Sequence, residues 1–95
     1  LPKEDGAMVQ IYHSLPPVVE PEIQDPTTWF IEFRIPIALL EKYVGTIGDP
    51  RGQRWSANFY KCGDKTSHPH WISWAPVDQL NFHLPRCFGP MVFEP

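Results

Sequence analysis

Apolar and polar residues alternate along most of this chain with the period of two that marks a strand with one covered face. Residues 7–13 alternate loosely, with Val9 and Ile11 on one side and Met8, Gln10 and Tyr12 on the other. From Trp29 the alternation is strict: Trp29, Ile31, Phe33, Ile35 and Ile37 point one way, while Phe30, Glu32, Arg34 and Pro36 point the other. A third run, Gln53 to Lys61, sets Trp55, Ala57 and Phe59 against Arg54, Ser56, Asn58 and Tyr60. A shorter strand is expected from His70 to Trp74, with Trp71 and Ser73 opposite His70, Ile72 and Trp74. The last runs from Met91 to Glu94 and is entered through Gly89-Pro90.

The breaks between these runs carry their own signals. Pro16, Pro17, Pro21 and Pro26, with several acids, make residues 15–28 an extended connection. Pro36 suits the first turn of a helix and Gly45 its left-handed end, which predicts one or two helical turns over Ile37 to Tyr43. Gly48-Asp49-Pro50-Arg51-Gly52 and Gly63-Asp64-Lys65-Thr66 are turns. Short strands, frequent turns and one minor helix predict a mainly β, antiparallel sandwich of jelly-roll type, a single domain over residues 1–95.

Composition narrows the function. The chain has 95 residues, of which 42% are hydrophobic and 14% aromatic, enough for a thin core; its 12 prolines forbid long helices. A net charge of −3 with both signs scattered gives no footprint for nucleic acid, which needs clustered Lys and Arg. No apolar run reaches the roughly 20 residues of a membrane-spanning helix. The chain starts at Leu1 and turns quickly to strand-like sequence, which fits removal of a leader or a longer upstream segment.

Candidate chemistry concentrates between Arg54 and Gly89, which holds Trp55, Trp71, Trp74, His68, His70, His83 and both cysteines. Aromatic faces beside amide, imidazole and guanidinium groups suit a neutral polyhydroxyl ligand, whose C–H surface stacks on rings and whose hydroxyls bond at the edge. Trp29 and Trp55 lie on the more apolar side of their strands and read as core. Trp71 and Trp74, three apart, face opposite ways; Ile72 shares a face with Trp74, so Trp74 reads as core and Trp71 as the platform. Asn58, Tyr60 and Arg54 share a polar face that can read hydroxyls, and His70 stands beside Trp71. The expected ligand-binding set is therefore Trp71, Trp74, Asn58, Tyr60, Arg54 and His70.

Other chemistries find less support. Cys62 and Cys87 are compatible with a disulfide or with two free thiols, and form no Cys-x-x-Cys zinc pair. His68, His70 and His83 could offer imidazoles to a metal, but Pro69 intervenes and no acid is matched to them. Carboxylates sit mostly in the leading and turn segments without a catalytic spacing, so no enzyme is expected. A haem-binding sandwich, with a histidine or Met91 as axial ligand, is an analogy at the level of fold.

Several blocks resemble the C-terminal part of the family 9-like carbohydrate-binding modules, including those of gut bacteria. They are the W-x-x-x-F-x-I-P pattern from Trp29 to Ile37, Trp55-Ser56-Ala57-Asn58-Phe59-Tyr60-Lys61-Cys62-Gly63-Asp64, His68-Pro69-His70-Trp71-Ile72-Ser73-Trp74-Ala75-Pro76, Phe82-His83, Pro85 and Phe88-Gly89. The resemblance implies a β-sandwich of a wider group that binds sugars or haem, with sugars held between aromatic rings. It implies a carbohydrate ligand of the xylan or glucan class, no catalysis, and service as an accessory module of a glycoside-hydrolase system. A secreted, periplasmic or cell-surface setting follows, with calcium the one conceivable cofactor. Cys87 stands where the pattern leads one to expect an aromatic residue.

The resemblance covers nearly all of this chain but about half of the family's domain. A sandwich needs two facing sheets, so a sheet face containing Trp29, Ile31, Phe33 and Phe59 is expected to lack a cover. Pairing with a second chain, domain swapping, a rearranged fold, or completion of a structural fragment by a partner are the expected solutions.

Overall fold

Strands form where the alternation is densest, yet each is four residues long and they pair two by two, always antiparallel. The computed structural model describes residues 1–95, which divide into two compact units, Leu1–Asp49 and Pro50–Pro95. The division falls at the predicted turn around Pro50, and the proline-rich 15–28 connection stays inside the first unit.

In the first unit, residues Lys3–Gly6 form a helical turn, α1, behind Pro2, where the sequence pattern had suggested only a lead-in to a strand. Its Asp5 is buried, and its carboxylate takes hydrogen bonds from Lys42 Nζ, 2.8 Å to each oxygen, and from the Tyr43 hydroxyl. Those partners sit on α2, Ile37–Val44, which follows Pro36 and ends at Gly45 with φ +89°, as proline and glycine at these places predict. The helix buries Leu39. Beyond it, the Glu41 carboxylate accepts the Ile47 and Gly48 amides, which hold its pKa below the ordinary value.

Strands β1 (Gln10–His13) and β2 (Ile31–Arg34) pair with Ile11 opposite Phe33 and His13 opposite Ile31. The base of the long connection is stapled where the Phe30 amide donates to Ser14 Oγ, at 2.9 Å, and the Ser14 amide to Phe30 O, at 3.1 Å. All eight strand residues are exposed. Trp29, expected in the core, is 44% exposed, because no second sheet covers the face that its alternation prepares. The bare apolar face that half a sandwich implies is thus present for Trp29, Ile31 and Phe33, whereas Phe59, expected with them, lies in the second unit against Trp74.

In the second unit, the predicted Gln53–Lys61 strand is cut in two. Strand β3 (Arg54–Ala57) pairs with β6 (Gly89–Val92), and β4 (Tyr60–Gly63) pairs with β5 (His70–Ser73). The cut falls at Asn58. Its Oδ1 accepts the Ala75 amide at 2.8 Å and the Phe59 amide at 2.9 Å, and its Nδ2 donates to Ala75 O at 3.1 Å. A side chain thereby replaces a stretch of backbone ladder. Trp74 N then donates to Phe59 O at 2.9 Å.

Packing in this unit is ring on ring: Trp55 with Phe93 edge to face at 4.6 Å, Phe59 with Trp74 at 5.7 Å, and Tyr60 stacked on Phe82 at 4.4 Å. Trp55 is half-buried and its indole nitrogen donates to Gln53 Oε1. A one-turn 3-10 helix, Pro85–Cys87, follows the buried Leu84 and leads into β6.

Candidate functional site

The β4–β5 register decides which side chains meet. Tyr60 opposes Ser73 and Cys62 opposes Trp71, so Tyr60, Cys62, Trp71 and Ser73 share one face of the ribbon. Lys61, Gly63, His70 and Ile72 share the other. On the first face the segment after β5 folds back as Leu80-Asn81-Phe82-His83, and these four residues with Trp71 line an open cleft of about 230 Å³. Phe82 is fixed by stacking on Tyr60. Asn81 is fixed by a local turn: its amide donates to Gln79 O, and its Oδ1 accepts the His83 amide at 2.8 Å.

The cleft is apolar on three sides, through Trp71, Leu80 and Phe82. Its polar groups are an amide and an imidazole, and none of the lining residues carries an acidic, lysine or arginine side chain. A neutral ligand with one apolar face and a few hydroxyls fits that lining better than an ion does. Beneath the cleft wall, the Tyr60 hydroxyl is buried without a hydrogen-bond partner. An orphan of this kind costs about 1–3 kcal/mol unless a ligand or water satisfies it.

The structure separates the residues that the sequence had grouped. Trp71 lines the cleft, and Tyr60 supports it from the same face. His70 lies on the opposite face, its Nδ1 against His68 O at 2.8 Å and its Nε2 against Lys61 Nζ. Its ring lies so close over Gly63 that a Cβ there would meet Cε1 at 2.5 Å. Asn58 has both ends of its amide engaged by backbone, and Arg54 is exposed on β3, away from the cleft lining.

Trp74, expected in the core, is 55% exposed, more than Trp71 at 45%. The inference from Ile72 fails because Ile72 is itself 55% exposed: the face it shares with Trp74 has no covering layer. Trp74 instead leans on Phe59 and over Gly89, where a Cβ would lie 3.0 Å from its ring.

Leu80, Asn81, Phe82 and His83 were missed as ligand-site residues because they lie outside any regular element, where alternation says nothing. Cys62 and Cys87 are not bonded to each other in this structure. Cys87 Sγ instead lies 3.3 Å from Arg86 Nη1, whose guanidinium pairs with Asp78. That hydrogen bond lowers the Asp78 pKa and raises that of Arg86. His68, His70 and His83 do not converge, and no cluster of three or more His, Cys, Asp or Glu side chains arises. No helix is long and apolar enough to cross a membrane.

Comparison with known proteins bears on the family and the fold. No curated protein matches the chain. A crystal structure described as that of "a putative carbohydrate-binding protein from Bacteroides uniformis ATCC 8492" superimposes with a TM-score of 0.78 at 32% identity. The match covers 99% of this chain and 43% of that one, so the present chain spans less than half of its solved relative. The antiparallel strands with their short helix are thus a portion of that larger fold. Residues 1–93 match carbohydrate-binding family 9, and the chain belongs to that family.

Proposed function

We propose that the second unit binds a carbohydrate without transforming it, in the cleft between Trp71 and the Leu80–His83 segment. The observation that carries this reading is an exposed tryptophan in an uncharged cleft, beside a stacked Phe82 and two orienting polar groups, in a chain of a carbohydrate-binding family. The Trp71 face takes the C–H side of a sugar ring, with Phe82 and Leu80 excluding water around it. Asn81 Nδ2, which has no partner within the protein, and the His83 ring address hydroxyls at the rim. The Tyr60 hydroxyl is a further acceptor or donor, reached directly or through a water.

The ligand class is a neutral plant-type polysaccharide or its oligosaccharides, xylan or glucan, consistent with a lining free of acidic and basic side chains. The chain would serve an enzyme system outside the cell or at its surface by holding the polymer in place. A shallow site of this kind binds in the millimolar to micromolar range, about −4 to −8 kcal/mol.

The test is a titration of the 95-residue chain with xylo- and cello-oligosaccharides, followed by intrinsic tryptophan fluorescence, with reducing ends assayed in the same samples. Saturable quenching or enhancement without new reducing ends is the expected result. A folded sample with no response to either series contradicts the reading, and release of reducing ends contradicts its non-catalytic part.

A further inference from the structure

We draw no further inference here: the strongest candidate, the buried Tyr60 hydroxyl on β4 beside the Phe82 stack, which has no hydrogen-bond partner within the chain, belongs to the site already described.

Discussion

The two units reach order by different means. In Leu1–Asp49 a buried carboxylate, Asp5, gathers Lys42 and Tyr43, and Ser14 staples the ends of a proline-rich connection, while the sheet between them exposes every residue of both strands. In Pro50–Pro95 the organising contacts are three aromatic pairs and the Asn58 amide, and the exposed apolar surface is shaped into a cleft. Exposed apolar residues of the same kinds therefore have different consequences. On a flat ribbon edge they offer a surface for another strand; around a folded-back loop they offer a concave surface for a small ligand. Polar clasps hold the first arrangement without filling it, whereas ring stacking both holds and shapes the second.

Four substitutions probe that contrast, in descending order of expected effect. Trp71→Ala removes the cleft's broad face and should lower carbohydrate affinity about tenfold or more, with the melting temperature little changed, as a ligand titration and a thermal melt on one sample will read. Gly63→Ala forces a Cβ against the His70 ring and should destabilise the chain by about 1–3 kcal/mol, read by denaturant unfolding. The damage should spread to the cleft, because Gly63 and Trp71 belong to the same ribbon.

Asn58→Ala strips the Ala75 amide and carbonyl of their partner and should cost roughly 1–3 kcal/mol, again by denaturant unfolding. Asp5→Asn acts in the first unit alone. Hydrogen bonds from Lys42 and then Tyr43 hold the Asp5 pKa below its ordinary 3.8. A carboxylate depressed in this way stabilises the fold above its unfolded value, and that contribution fades as pH falls through the lower folded one. The melting temperature of the unaltered chain should thus exceed that of the variant near neutrality and converge on it below pH 3.8. Carbohydrate affinity should be unchanged throughout.

Much of this contrast was legible in the chain. Strict alternation from Trp29 located β2, Pro36 and Gly45 bracketed α2, and the need for a facing sheet anticipated a bare face bearing Ile31 and Phe33. The failures have physical causes. Alternation continues through Asn58, but its side chain competes with backbone for hydrogen bonds and divides the strand, which no periodicity records. The helical turn at Lys3–Gly6 depends on Asp5 meeting residues 37 and 38 positions away. Assigning Trp74 to the core assumed a layer over Ile72 that is not there. At the candidate site, Trp71 and its support Tyr60 stood in the set read from strand parity, whereas Phe82 and His83 were read only as part of the family pattern and not as site residues. Leu80 and Asn81 required the three-dimensional return of the loop.

The central claim is that carbohydrate is held at the cleft of the second unit. Its most direct test is a two-dimensional amide and indole NMR titration of the ¹⁵N-labelled chain with xylo- and cello-oligosaccharides. The account predicts saturable shifts at the Trp71 indole, the Asn81 side-chain amide and the backbone of residues 80–83, with the β1–β2 resonances still. Shifts gathered on β1 and β2, or a spectrum unmoved at saturating sugar, would contradict it.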